Sequence, residues 1–375
     1  MPKVRVLQVN IGTTVFGGVE KILYDIYKHI DRDKVQFDFL SPNGATYKIC
    51  KSEIEKLGGK ILDLKNNRRN LKEKILYDIK LHKFLKSNKY DIIHINSGVF
   101  FFCLQVALIA KINGVKKIIV HSHNNIKNSK IKGILIKILK PILNNIVDER
   151  LACSRLAGEA MFYKKSVEQG KVKIIKNGLE IEKFKFDKSI RDEYRKKMNL
   201  EENVIYGHIG RFELEKNHDF LIDIFYEIQK KQENAKLLLV GEGKLKDIIK
   251  EKVEKLNISD KVKFLGLRKD VNNILQAIDC FIFPSKYEGL GIVAIEAQTA
   301  GVYTVCSETI PIEAKISDKF KFINLEQTPE VWAKIIYENQ CINNMEYRKE
   351  AYKNTIRNGY DINSVSEELE KIYLN

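Results

Sequence analysis

Residues 280–301 read Cys280-Phe-Ile-Phe-Pro284-Ser-Lys-Tyr-Glu288-Gly289-Leu290-Gly291-Ile292-Val-Ala-Ile-Glu296-Ala-Gln-Thr-Ala-Gly301. Four uninterrupted apolar residues, a loop holding proline and glycine, and a longer apolar segment predict a strand over 280–283, a turn, and a helix over 292–300. A strand apolar at every position is covered on both faces, as in a parallel sheet with helices above and below. Strand, loop and helix in this order form the repeating unit of an α/β domain.

Working outward, the same unit recurs. In the first half, strands are predicted at 4–9, 36–40, 91–95, 117–121, 150–153 and 173–175, with helical periodicity at 20–30, 71–86 and 100–112. In the second half, strands are predicted at 204–208, 236–240, 262–264, 280–283 and 303–306. Its helices fall at 217–231, 244–256, 292–300 and 329–341. Two such series predict two doubly wound, Rossmann-like parallel-sheet domains, 1–176 and 177–375, joined at the turn dipeptide Asn177-Gly178. In doubly wound sheets ligands sit beyond the carboxyl ends of the strands, so the strand-to-helix loops are where chemistry is sought, with a ligand cleft between the domains.

The chain's 375 residues suit two domains, and 44% hydrophobic with 30% charged residues excludes a disordered or collagen-like chain. No apolar run reaches the roughly 18–20 residues that span a bilayer; the longest, 99–110, is interrupted by Gln105 and stopped by Lys111. The opening MPKVRVLQVN reads as a strand rather than a secretory signal, which predicts a cytoplasmic protein. The six cysteines, Cys50, Cys103, Cys153, Cys280, Cys306 and Cys341, form no C-x-x-C pair, so reduced core thiols are expected and no metal site.

Charge is unevenly placed. Residues 1–176 carry 34 Lys plus Arg against 15 Asp plus Glu, a net of +19, whereas residues 177–375 carry 31 against 34, a net of −3. A block of this kind attracts polyanions: nucleic acid, an anionic membrane surface, or phosphorylated substrates. Nucleic acid is excluded by the lack of any helix-turn-helix, zinc-finger or aromatic RNP pattern. The stretch 130–146, KIKGILIKILKPILNNI, places Ile131, Ile134, Leu135, Ile138, Ile142 and Ile146 on one helical face and Lys130, Lys137 and Lys140 opposite. A basic amphipathic helix suits a membrane surface as well as a protein core, and Pro141 is expected to kink or split it.

Four loops hold candidate site residues. Gly17-Gly18-Val-Glu20 opens a helix after the first strand, where paired glycines let backbone amides approach an anion. Gly210-Arg211-Phe-Glu-Leu-Glu-Lys216-Asn217 follows the first strand of the second half. There Arg211 and Lys216 suit a diphosphate, and Asn217 suits a helix cap. Glu288 lies between strand and helix, and Glu296 lies in an apolar stretch where an unpaired carboxylate is costly; vicinal hydroxyls of a ribose or hexose would satisfy it. His123 closes the strand 117–121 within His121-Ser-His123-Asn124-Asn125. Gly241-Glu-Gly243-Lys-Leu-Lys246 has lysine where a dinucleotide fingerprint needs its third glycine. The acidic D-x-D, Asp31-Arg-Asp33, follows a helix and reads as a solvated turn. No Ser/His/Asp or Cys/His order points to a hydrolase.

Taken together, G-R-F-x-x-E-K-N-H, V-G-E-G, F-x-G and P-S-x-Y-E-G-L-G-I-V-x-x-E-A-Q-x-x-G resemble the signature of glycosyltransferase family 4, retaining nucleotide-sugar-dependent enzymes of GT-B fold. Ser307-Glu-Thr-Ile-Pro311-Ile-Glu313-Ala-Lys315, Gly17-Gly18-Val-Glu20 and the HSHN around His123 resemble the branch that builds bacterial capsule and exopolysaccharide. The resemblance covers essentially the whole chain. It implies that Arg211 and Lys216, with Gly210 and Gly241, bind the donor diphosphate, the two cations neutralising the leaving group. Glu296 would bind the nucleotide ribose, and Glu288 with the amides of Gly289, Leu290, Gly291 and Ile292 would orient the sugar. Gly17 and Gly18 would approach diphosphate or acceptor, and His123 would sit near the reacting sugar.

The resemblance further implies no cofactor and no metal, a UDP-sugar donor, a lipid-linked glycan acceptor, and a last helix (about 361–375) that crosses back to the first domain. Where the family has G-x-P, this chain has Gly301-Val302-Tyr303, a change in a structural turn. The reading is a retaining hexosyltransferase, peripheral on the inner face of the membrane. A nucleotide-sugar epimerase of the same fold and a non-catalytic nucleotide-sugar-binding subunit are the alternatives.

Overall fold

A computed structural model describes residues 3–11, 17–41, 45–66, 68, 70–123, 130–339 and 345–375. The chain forms two compact units, Met1–Leu179 with Tyr360–Asn375, and Glu180–Gly359. It therefore leaves the first unit at Leu179, beyond the expected joint at 176, and re-enters it at Tyr360. Leu179 and Asp361 form a parallel bridge within that unit.

The first unit holds β1 (Val4–Asn10), β2 (Val35–Ser41), β3 (Ile61–Asp63), β4 (Ile92–Asn96), β5 (Lys117–Ser122), β6 (Glu149–Ala152) and β7 (Lys173–Ile174). Their order is β3-β2-β1-β4-β5-β6-β7, and every pairing is parallel. The chain order reverses between β1 and β4. Tyr27, Phe37, Phe39 and Tyr47 stack in its core with ring centroids 5.0–5.4 Å apart for three of the pairs. The last helix, Ile362–Leu374, is started by Asp361, whose carboxylate accepts from the amides of Asn363 and Ser364 at 3.1 Å. It buries Ile362, Val365, Leu369, Ile372 and Tyr373 in the first unit's core, beside the helix Gly18–His29. That i, i+3, i+7 spacing is an apolar helical stripe.

The second unit holds β8 (Val204–Ile209), β9 (Ala235–Val240), β10 (Val262–Gly266), β11 (Cys280–Phe283), β12 (Tyr303–Ser307) and β13 (Phe320–Ile323). Their order is β10-β9-β8-β11-β12-β13, again all parallel. The order reverses between β8 and β11. Buried Asp279 sits at the start of β11, paired to Arg191 at 2.5 Å and Arg195 at 3.1 Å, and pins the helix Lys188–Lys197.

β3, β13 and the helices Lys188–Lys197 and Val271–Ala277 are elements that periodicity did not predict. Pro141 does not split its segment: Lys130–Ile146 is one helix, anchored on both sides of the proline by buried Ile136 and Leu143. Ile131, Ile134 and Ile138 of that helix are 82%, 60% and 64% exposed, so the stripe expected to face either a core or a membrane faces solvent. Lys132 and Lys137 are also exposed, whereas Lys140 is half-buried and donates to the carbonyls of Glu159 and Phe162. The helix Phe100–Ile112, packed on it, adds exposed Ile112, and Leu71–Ser87, packed on Phe100–Ile112, adds exposed Leu71 and Ile75. Among the described residues no helix is long and apolar enough to cross a membrane.

Candidate active site

In the second unit the loops after β8 and β11, at the reversal of strand order, interlock. Lys216 Nζ meets Glu288 Oε1 at 2.5 Å with both side chains about 15% exposed. The amide of Lys286 donates to the Glu215 carbonyl at 2.7 Å. Asn217 Nδ2 donates to the Pro284 carbonyl at 3.1 Å. Asn217 precedes the helix His218–Gln229 in a left-handed conformation and makes no side-chain cap, so its amide ties two loops rather than capping a helix.

Lys216 lies over the Phe283 ring, its Nζ 4.9 Å from the centroid. Behind it are two buried histidines that the sequence reading passed over. His208 Nδ1 bonds the Ile282 carbonyl at 2.8 Å; since a carbonyl only accepts, Nδ1 carries the ring proton. The His218 ring stacks on Phe212 with centroids 4.1 Å apart. Burial pushes His208 down to about 4 and His218 to about 2, so both are neutral near pH 7. Lys216 and Arg211 therefore supply the positive charge of this loop. Arg211 is 72% exposed and, among the described residues, pairs only with Glu215, at 3.6 Å. Its guanidinium is open to a ligand.

Gly210 and Gly241 bring the loops after β8 and β9 backbone to backbone. A Cβ on Gly241, whose φ is +141°, would lie 2.1 Å from the Gly210 carbonyl oxygen. The glycine pair thus fixes the course of the Arg211 loop, and Gly241 needs no ligand to explain it. Gly289, Leu290 and Gly291 lead into the helix Ile292–Thr299, with Gly291 at φ +81° as its N-terminal cap residue. The first amides of a helix have no acceptor within it, so this turn offers donors to a ligand. Glu296 stands about one turn along, buried.

In the first unit, polar side chains alternate with apolar ones at the ends of three central strands. Asn10, Asn96 and His121 form one row across β1, β4 and β5. His123 follows β5, its Nε2 3.1 Å from Asn96 Oδ1 and its ring 4.1 Å from that of His121. Burial pushes His123 down to about 4. Gly17 caps the helix Gly18–His29, and its amide already donates to Glu20 Oε2 at 3.0 Å. The other oxygen of Glu20 accepts from Asn10 Nδ2 at 2.7 Å. An anion expected at Gly17 would therefore meet a buried carboxylate instead of a free amide. Among the described residues a Cβ on Gly18 would touch nothing within 4 Å. Asn124 and Asn125 lie outside the described residues.

Asp31 and Asp33 lie in the turn after the helix Gly18–His29, with Asp31 paired to Lys34. Among the described residues no group of three or more His, Cys, Asp or Glu could hold a metal ion.

Residues 16–183 match the family described as Glycosyltransferase Family 4, and residues 190–358 match Glycosyl transferases group 1. The capsular polysaccharide biosynthesis glycosyltransferase CapH of Staphylococcus aureus is 27% identical over 371 residues, 96% of this chain and 95% of CapH. An Escherichia coli UDP-Gal:alpha-D-GlcNAc-diphosphoundecaprenol alpha-1,3-galactosyltransferase is 28% identical over 237 residues, 61% of this chain and 60% of that one. The crystal structure of Anabaena Alr3699/HepE in complex with UDP and glucose superposes with a TM-score of 0.78 at 19% identity, covering 98% of this chain and 99% of that one. Both sheets, their loops and the two matched segments lead to one assignment: this chain belongs to glycosyltransferase family 4 and has the GT-B fold.

Proposed function

We propose that this protein transfers a hexose from a UDP-sugar to a lipid-linked glycan in capsule or exopolysaccharide synthesis, with retention of configuration and without a metal. The observation that carries the reading is the Lys216–Glu288 pair, which joins the two loops at the switch point of the second sheet beside the exposed Arg211. Arg211 grips the diphosphate as a bidentate fork and Lys216 adds a point charge. Glu288, held by Lys216, and the amides of Gly289–Ile292 orient the sugar hydroxyls, and Glu296 accepts from the ribose. The glycosyl bond to the diphosphate breaks as the acceptor oxygen bonds to the same carbon. The departing diphosphate oxygen takes the acceptor's proton and the cations take the developing charge.

The first unit receives the acceptor, and His123 contacts the transferred sugar. Because Glu20 occupies the Gly17 amide, this helix start suits a neutral hydroxyl better than a phosphate. The UDP and glucose bound by HepE, and the diphosphoundecaprenol in the name of the E. coli relative, support this choice of donor and acceptor. The exposed isoleucines and lysines of the helix Lys130–Ile146 and its neighbours support docking on the anionic inner leaflet of the plasma membrane.

The test is a thermal-shift and turnover screen against UDP-, GDP- and ADP-sugars. A ligand that binds only the folded chain raises its melting temperature, and a UDP-sugar is expected to do so most. Absence of a shift with every nucleotide sugar overturns the reading. Isomerisation of the sugar without acceptor identifies the epimerase instead. For the membrane, Ile131→Asp with Ile138→Asp is expected to abolish flotation with phosphatidylglycerol vesicles; equal flotation of the native chain with neutral vesicles overturns that part.

A further inference from the structure

The loop after β8 mixes charges of both signs: residues 211–216 read Arg-Phe-Glu-Leu-Glu-Lys. Among the described residues each of its two cations already has one carboxylate partner. Arg211 has Glu215 at 3.6 Å, and Lys216 has Glu288 at 2.5 Å. The two pairs differ in how water treats them. Arg211 is 72% exposed, and an exposed pair is screened and weak, so a diphosphate takes that guanidinium almost unopposed. Lys216 and Glu288 are only 16% and 15% exposed. In such surroundings opposite charges attract, and like charges repel, more strongly than in water.

Packing holds both members of the shielded pair in place. A Cβ on Gly210 would lie 3.2 Å from Lys216 Cδ and 3.3 Å from its Cγ, so the lysine stem packs against that glycine. The ammonium stands over the Phe283 ring. The stem of Glu288 lies beside the turn into the helix Ile292–Thr299, its Cγ 3.9 Å from where a Cβ on Gly291 would be. An anion arriving at Lys216 therefore meets the Glu288 carboxylate next to it, and like charges set side by side are costly.

We propose that Glu288 is the residue by which the site tells donor from product: its carboxylate, the built-in counter-ion of Lys216, opposes a bare diphosphate, and hydroxyls of an attached hexose relieve that opposition by donating to it. This rests on the reading above that the diphosphate is held at Arg211 and Lys216 and the sugar at Glu288. A UDP-sugar satisfies cation and carboxylate together. After transfer the sugar belongs to the acceptor, and the UDP left behind faces a carboxylate with no hydroxyl on it. A charge left uncompensated in the wrong complex is a means of discrimination. UDP leaves, and Lys216 and Glu288 neutralise each other again.

Glu288→Gln keeps the side chain's shape and one acceptor oxygen while removing its charge. In calorimetric titration of the full chain, UDP is expected to bind this variant about tenfold tighter, the size of one hydrogen bond to a charged group. UDP-glucose, or whichever UDP-sugar the screen selects, is expected to bind no tighter than to the native chain. Glu288→Ala also removes the charge and is expected to tighten UDP as well, which covers the case in which the glutamine disturbs the loop. Weaker or unchanged UDP binding in both variants overturns the proposal, and is the result if the pair only ties the two loops together. Equal tightening of UDP and the UDP-sugar also overturns it.

Arg211→Ala separates the proposal from its premise. The guanidinium serves both ligands, so this variant is expected to weaken UDP and the UDP-sugar alike, by about tenfold or more. Native affinity for both in Arg211→Ala overturns the reading above and this proposal with it. A loss at Arg211 without a gain at Glu288 overturns this proposal alone.

Discussion

Mild acid is expected to destabilise both units, and the first more than the second. Three histidines of the first unit are held neutral by burial: His94 pushed down to about 3, His121 well below its ordinary value, and His123 to about 4. The second unit has two, His208 at about 4 and His218 at about 2. In the unfolded chain each titrates near 6.5. Between pH 6.5 and about 4 the unfolded chain therefore binds protons that the folded chain refuses, so stability falls as pH falls. Above pH 6.5 neither state is protonated at these sites, and the penalty vanishes.

At pH 5.5 each such ring costs roughly 1–2 kcal/mol, the size of RT ln(1 + 10). Since these folded-state values lie well under 5.5, the figure depends little on where below it they fall. Three rings cost the first unit about 4 kcal/mol and two cost the second about 3 kcal/mol. At roughly 2–4 °C per kcal/mol for units of this size, the transitions are expected to fall by about 8–16 °C and 6–12 °C between pH 7.5 and 5.5. Calorimetry gives the shifts, and hydrogen exchange through β1 and β4 against β8 and β11 assigns them. A fall under about 3 °C in both units, or a larger loss in the second, refutes the claim that these rings stay neutral when folded.

Arg211→Ala removes a side chain that is 72% exposed. The melting temperature is expected to stay within about 2 °C, while UDP affinity by calorimetric titration falls about 10- to 100-fold, the worth of a charge-assisted bond. Gly241→Ala drives a Cβ to 2.1 Å from the Gly210 carbonyl at a φ of +141°. A loss of at least about 3 kcal/mol should appear as a clear drop in the second unit's thermal transition. Gly18→Ala meets no described residue within 4 Å, so folding should be unaffected. Transfer to acceptor is expected to drop severalfold, and unchanged transfer would remove Gly18 from the site.

The strands that were legible in the sequence are those with continuous apolar runs, such as 280–283 and 237–240, because burial on both faces leaves no polar residue to interrupt them. β3 was hidden because three residues, Ile61–Asp63, are too few to carry a period. The helix Lys188–Lys197 was hidden because its core-facing residues are Arg191 and Arg195, whose guanidiniums are buried on Asp279 and backbone carbonyls. Charge patterns read as surface there. The loops holding Arg211, Lys216 and Glu288 stood out from glycine and charge placement, but the Lys216–Glu288 contact did not, since 72 residues separate the partners. The polar row in the first unit had a signal that was read only at His123. Gln8 and Asn10, His94 and Asn96, and His121 and His123 are each two apart at a strand's end, so each pair lies on one side of its strand.

That row also bears on where the +19 of the first half is used. Among the described residues at the ends of β1, β4 and β5 the side chains are amides, neutral imidazoles and the carboxylate of Glu20. These side chains offer a phosphate no positive charge to grip. The positive surplus lies elsewhere in the unit, in part as Lys72, Lys74, Lys83, Lys86, Lys132 and Lys137, exposed beside isoleucines and leucines equally open to water. Apolar side chains left in solvent are costly unless something covers them, and a surface that pairs them with lysines fits the headgroup boundary of an anionic bilayer. On the proposed reading the two halves of the task are then separated: long-range attraction brings the chain to the acceptor's membrane, and these amides and imidazoles bind hydroxyls by direction. Raising salt should therefore weaken capture of the lipid-linked acceptor on vesicles, through screening of exposed charge. It should leave kcat with a short soluble acceptor unchanged; a parallel loss of both would place the cations at the strand ends after all.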